Sequence, residues 1–286
     1  MSLGEHLTLM LITDDVGVAQ HAIASGVNRI FVDLEVRGKD RRQGNLDTHR
    51  AAHTAGDVRC IRSALPGVSL MARVTPLYDG TAGEIEAVLE AGADRVMLPM
   101  FESAGEAGAF LDLVGGRADT TLLLETPQAL ARVDEILELR DRIDEIHVGL
   151  NDLHLGMGLS FMFELLSGGI VEYLAARVRA AGVRFGFGGI ARVGEGAVPA
   201  ELIIGEHVRL GSEMVILSRS FHEGARSLEA LRDAVDLPGE VRRIRHWEAH
   251  FRSAGCEVLE ENRRRLVAAV RRVVDERRAA GAGEDR

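Results

Sequence analysis

Short apolar runs recur along the chain, at residues 7–13, 29–35, 69–75, 95–101, 121–126, 145–152, 183–189 and 213–219. After each of the first seven comes a polar or glycine-containing turn and then a stretch with apolar residues at helical spacing. Runs of this length bounded by turn signals read as strands, and strands alternating with helices read as a parallel sheet covered on both faces. Eight such units over about 220 residues predict a closed (β/α)₈ barrel, with an open doubly wound sheet as the alternative. Gly26, Gly92, Gly182 and Gly211 stand where the preceding helix should stop, the usual place for a glycine cap. Pro127 stands near a helix start, where its missing N–H costs least. The second strand leads into a long polar loop and a helix near residues 46–55.

Past residue 225 the alternation ends. Residues 226–253 and 257–279 read as two helices with no strand between them, so the chain divides into a barrel (1–225) and a helical extension (226–286). The last helix is arginine-rich around Leu266, Val267, Val270, Val273 and Val274. That apolar stripe needs a partner, and a neighbouring subunit is the expected one. The GAGEDR tail is expected to be disordered.

In such a barrel the chemistry lies at the C-terminal ends of the strands. Glu125 follows three leucines and Asp152 closes the next strand. Neighbouring parallel strands lie about 4.8 Å apart, so these carboxylates emerge side by side. Two hard oxygen ligands, with room left for water and substrate, suit Mg²⁺ or Mn²⁺. Taken singly, Glu125 also fits a helix-cap partner and Asp152 an Asx-turn residue. Arg73 ends the third strand. Its fork suits a carboxylate or phosphate in the barrel mouth, or else a salt bridge to Asp33 or Glu35. Gly188, Gly189 and Arg192 follow the seventh strand and Arg219 the eighth, where barrels often hold phosphate; tight turns with surface arginines are the alternative. His49 and His53, four apart, read as a solvated helix face, and Trp247 as a packing anchor.

Composition narrows the chemistry. The chain has 286 residues, 46% of them hydrophobic, enough for a substantial core. A net charge of −10 argues against nucleic-acid binding. Two cysteines are too few for a disulfide framework, which makes a reducing cytoplasm the expectation. No signal-peptide pattern opens the chain, and no apolar run reaches the roughly 18 residues that span a bilayer. Of 34 basic residues only Lys39 is a lysine, and it lies in the polar run RGKDRR. A Schiff-base enzyme needs a desolvated or charge-activated lysine. Carbonyl chemistry here therefore calls for a metal rather than an imine.

These motifs taken together and in order (FVDLE, the arginine in MARV, GADRVMLPM with an acid after it, LLLETP, VGLNDLHLGMG) resemble the HpcH/HpaI aldolase and citrate lyase family over roughly residues 7–222. The resemblance implies a (β/α)₈ barrel, often trimeric or hexameric with an exchanged C-terminal helix. It implies Glu125 and Asp152 as the metal pair, Arg73 as the arginine that binds substrate and stabilises an enolate, and the backbone around Asn151 and Asp152 as substrate-binding. The implied reaction makes or breaks a carbon–carbon bond between a 2-oxo acid such as pyruvate and an aldehyde; if the loops after the seventh and eighth strands hold phosphate, the acceptor is a phosphorylated, nucleotide-linked or CoA-linked compound. Many family aldolases carry a histidine just after the second-strand acid, where this chain has Asp33-Leu34-Glu35-Val36. Some also place a glutamine where this chain has Leu123. The candidates for proton carrier are then Glu35, His154 and water on the ion, with a structural turn as the alternative for His154. The DLE run also fits a citrate or malyl-CoA type lyase. A barrel without catalysis, serving as a binding or assembly subunit, is the third reading.

Overall fold

Each of the eight apolar runs forms a strand. They are β1 (Thr8–Ile12), β2 (Arg29–Asp33), β3 (Ser69–Arg73), β4 (Arg95–Leu98), β5 (Asp119–Leu124), β6 (Glu145–Val148), β7 (Arg184–Ile190) and β8 (Met214–Leu217). All neighbours pair in parallel, and β8 returns to β1, so the sheet closes in sequence order. The structure, a computed structural model, describes residues 6–35, 53–222, 225 and 227–284. The helices are α1 (Val16–Ala24), α2 (Ala55–Ala64), α3 (Thr81–Glu90), α4 (Ala104–Val114), α5 (Pro127–Ala131), α6 (Val133–Leu137), α7 (Leu150–Gly156), α8 (Glu164–Ser167), α9 (Ile170–Ala180), α10 (Ala200–Leu210), α11 (Leu228–Ala234), α12 (Leu237–Ser253) and α13 (Cys256–Glu284). None among the described residues is long and apolar enough to cross a membrane.

Side chains alternate in and out along each strand. The outward set, such as Leu9, Leu11, Ile30, Val32, Leu122 and Leu124, joins the helices in the main core. The inward set forms a second apolar cluster: Met10, Phe31, Met71, Met97, Leu123 and Met214. Below that layer the barrel floor is charged. Glu145 is fully buried, and Arg29 clasps it through two bonds of 2.8 and 2.9 Å. Arg184 adds a bond of 2.8 Å, Thr121 one of 3.1 Å, and Arg95 an ion pair at 3.3 Å. Burial alone would raise the Glu145 pKa, but the three guanidinium groups outweigh it and hold the carboxyl below the usual range. The strand pattern reads 145–148 as simply apolar, because an inward-facing charge in a two-residue alternation looks like an outward-facing one.

Three boundaries differ from the sequence pattern. The helix after β2 lies at Ala55–Ala64, since Thr54 and Asp57 form a capping box that starts it there; most of the expected 46–55 segment lies outside the described residues. The first extension helix is split in two, because Asp236 caps a new start and Pro238 occupies its first turn. The last helix runs on to Glu284, so most of the tail expected to be disordered is helical.

The apolar stripe of α13 is covered within the chain. Leu266, Val270, Val273 and Val274 are buried, and α13 packs on α8 and α10. Asn262 donates to the Leu202 carbonyl at 2.9 Å. The stripe thus needs no second chain to leave water. Trp247 packs as an anchor, stacked on Phe251 and edge-on to His250.

Candidate active site

The upper end of the barrel interior gathers four of the expected residues. Asp33 and Arg73 are direct partners across β2 and β3. The Arg73 fork meets Asp33 through Nε–Oδ1 at 2.9 Å and Nη2–Oδ2 at 2.7 Å, and Nη2 lies 3.2 Å from Glu35 Oε2. Arg73 therefore makes the salt bridges that its position allows. Its Nη1 makes no hydrogen bond among the described residues, so one edge of the guanidinium remains for a ligand. Burial works against the Arg73 charge, but Asp33, Glu35 and also Glu125 outweigh it and raise its pKa. The group is a fixed cation whose field reaches Glu125.

Glu125 stands one residue past β5 and is 3% exposed. Its Oε1 accepts the Met100 N–H at 3.2 Å. Met100 has φ 56°, the one positive φ at a non-glycine among the described residues. That left-handed turn costs energy in a bulky residue and persists because its surroundings hold it; it aims the amide at the carboxylate. Across from it, Gly149 ends the β6 turn so close to Glu125 that a Cβ there would sit 2.6 Å from Oε2. Gly149 caps α7, and Asp152 lies in the first turn of that helix. The segment is thus helical where the sequence pattern suggests a plain turn.

Glu125 and Asp152 line one cleft of about 460 Å³, together with Met100, Glu102, Thr126, Pro127, Gln128, Leu155 and Gly156. Asp152 is half-buried, and its carboxylate has no partner among the described residues. No group of three or more histidine, cysteine or acidic side chains among those residues could hold a metal. The donor set is therefore two carboxylates opening on a cleft. That set fits Mg²⁺ or Mn²⁺, which keep several sites for water and substrate, and does not fit zinc's closed cage.

The other expected residues lie elsewhere. His154 is buried, with Nδ1 3.2 Å from the Leu150 carbonyl in its own helix, and it does not line the cleft. Asn151 is exposed. Arg192 is paired with Glu195 at 2.7 Å, its backbone N–H donates to Ser220, and Arg219 is exposed. Neither arginine lines the cleft. Gly188, at φ +52°, sits in an irregularity of β7 and packs on Leu150, where a Cβ would meet Cδ1 at 2.6 Å; Gly189 follows it.

Two buried histidines support this geometry. His53 is 5% exposed rather than on a solvated face. Its Nδ1 accepts the Asp33 N–H at 3.0 Å, which places the proton of the neutral ring on Nε2, 3.6 Å from Asp14. The capping box that begins α2 at Thr54 is the sequence signal that takes His53 off the helix; His49 lies outside the described residues. His147 projects into the barrel and holds the Gly188 carbonyl at 3.0 Å through Nε2. Burial lowers its pKa to about 4. Nothing in the sequence marks Met100, whose role depends on its backbone angle.

A model of the HpcH/HpaI aldolase/citrate lyase family matches residues 18–187. Among solved structures, an HpcH/HpaI aldolase from Desulfitobacterium hafniense DCB-2 superposes with a TM-score of 0.58 at 16% identity, covering 74% of this chain and 86% of its own. An HpcH/HpaI aldolase/citrate lyase family protein from Burkholderia cenocepacia J2315 gives 0.59 at 15% identity, covering 87% and 96%. RipC from Yersinia pestis gives 0.52 at 14%, covering 80% and 94%. At such identities the likeness is one of fold. A curated pyruvate kinase of Methylorubrum extorquens is 36% identical over 80 residues, 27% of this chain and 17% of the kinase. The chain thus spans about a sixth of the curated relative it matches.

Proposed function

We infer, for a chain that belongs to the HpcH/HpaI aldolase/citrate lyase family, a metal-dependent lyase that joins or cleaves a carbon–carbon bond between a pyruvate-like 2-oxo acid and an aldehyde. The observation that carries this reading is the shared cleft of Glu125 and Asp152, with Arg73 ending β3 at the same end of the barrel and its charge felt at Glu125. The short likeness to a pyruvate kinase supports a pyruvate-like substrate.

Glu125 and Asp152 would hold Mg²⁺ or Mn²⁺, which when bound draws electrons from the keto group and carboxylate of the substrate. Arg73 keeps its charge at any working pH and offers Nη1 to the oxygen on which enolate charge develops. Asp33 and Glu35 fix the plane of the guanidinium, and His53 fixes Asp33. Such prior orientation removes reorganisation from the barrier. Glu35, 3.2 Å from Arg73, is the proton carrier in this reading. It is preferred to His154, which faces its own helix. The lone lysine, Lys39, is in keeping with a route that needs no imine.

Oxaloacetate decarboxylation tests this without the natural aldehyde, since it forms the same pyruvate enolate. The expected result is pyruvate release that requires Mg²⁺ or Mn²⁺, stops in EDTA and is lost in Glu125→Ala. Full turnover in EDTA would refute the reading.

A further inference from the structure

The cleft is larger than a three-carbon acid requires. Its volume of about 460 Å³ lies within the 300–1,000 Å³ typical of small-molecule sites. Asp152 and Leu155 are three residues apart on α7 and so share a face. Leu155 is 44% exposed, at the rim, although most leucines of this chain are buried. Met100 and Pro127 continue the apolar wall across the cleft. The charged residues that line it are Glu102, Glu125 and Asp152, and no arginine, lysine or histidine among the described residues does so. Arg132 bonds the Glu102 carbonyl from outside the lining. Arg192, which follows β7, is paired with Glu195, and Arg219, which follows β8, is exposed and outside the lining.

We propose that Leu155, Met100 and Pro127 form the acceptor subsite and select an uncharged aldehyde with an apolar tail over a phosphorylated one. Glu102, Glu125 and Asp152, with Asp33 and Glu35 beside Arg73, exceed the combined charge of that arginine and one divalent cation, so a phosphate dianion entering the cleft meets net repulsion. An alkyl tail, in contrast, loses water against three apolar side chains. The inference rests on the enolate reading above. In the addition, C3 of pyruvate loses a proton and bonds to the aldehyde carbon. The carbonyl electron pair passes to the aldehyde oxygen, which takes up a proton, and the product is a 4-hydroxy-2-oxo acid.

The test measures kcat/KM for pentanal and for glyceraldehyde 3-phosphate with Mg²⁺ and pyruvate, alongside deuterium exchange into the pyruvate methyl group without acceptor. Pentanal is expected to lead by about ten-fold or more, as apolar pockets discriminate on that scale. Leu155→Asp should cut that ratio about ten-fold, through the KM for pentanal, and Leu155→Met should keep it. Comparing two acceptors in the same variant cancels any general loss of active protein. Equal or better use of the phosphorylated acceptor, or an unchanged ratio in Leu155→Asp, overturns the inference. Absence of methyl exchange in the wild type overturns the enolate reading instead, and the inference with it.

Discussion

Gly149 stands against Glu125 at the end of β5, and Gly149→Ala crowds the site while leaving every charged residue in place. The added Cβ would lie 2.6 Å from Glu125 Oε2 and 2.7 Å from Glu125 Cβ. The oxygen can rotate away; the Cβ is tied to the β5 backbone and cannot. Gly149 has φ −81° and ψ 94°, which alanine also adopts, so the effect is one of space and not of backbone freedom. Ordinary contact begins near 3.4 Å, so the two carbons must part by roughly 0.7 Å. Overpacking on this scale costs about 1–3 kcal/mol, which lowers Tm by roughly 2–12 °C for a chain near this size. Function should suffer more, because moving a reacting group by up to an ångström costs about 10²-fold in turnover. Circular-dichroism melting and oxaloacetate decarboxylation read the two effects separately. A variant with wild-type Tm and wild-type turnover would show that Glu125 and the α7 start are not in the contact described.

Three further outcomes follow from other contacts. Glu145→Gln keeps the shape of the barrel floor but leaves Arg29, Arg95 and Arg184 without their shared anion; breaking a buried pair from one side costs about 3–5 kcal/mol, measurable by urea denaturation, and a loss under 1 kcal/mol would contradict the network. Arg73→Lys cannot reproduce the two-pronged hold on Asp33, so turnover should fall about 10²-fold with little change in Tm; a variant within a factor of a few of wild type would remove Arg73 from the chemistry. His147 is buried, faces the Gly188 carbonyl and lies in the fields of Glu145, Arg29 and Arg73; burial depresses its pKa from 6.5 to about 4. The unfolded chain thus binds its proton first, and the stability His147 contributes is complete above pH 6.5 and is lost as pH falls toward 4, by about 2 kcal/mol at pH 4.5. His147→Gln should flatten the stability–pH curve by that amount between pH 7 and 4.5, and an unchanged slope would contradict it.

The barrel was legible because its strands are buried on both faces, and eight apolar runs at regular spacing leave few other folds. Glu125, Asp152 and Arg73 were legible because each is a charge placed where an apolar run stops. Groups inside the runs were not. Glu145 and His147 face the barrel axis, and a two-residue alternation does not say which side is the core. The spacing of His53 to His49 reads as helical, while the capping box that opens at the next residue, Thr54, leaves His53 outside the helix and bonded to the Asp33 N–H. The α13 stripe showed that a partner was needed, not which; α8 and α10 of the same chain supply it. Arg192 looked available for phosphate because the glutamate three residues on gives no sign of whether the two side chains meet.

The account depends most on one cation shared by Glu125 and Asp152. Calorimetric titration of Mg²⁺ into the protein with pyruvate present tests that directly. One ion per chain is predicted for the wild type, with affinity at least about ten-fold weaker in both Glu125→Gln and Asp152→Asn. Unchanged Mg²⁺ affinity in the two folded variants would contradict it.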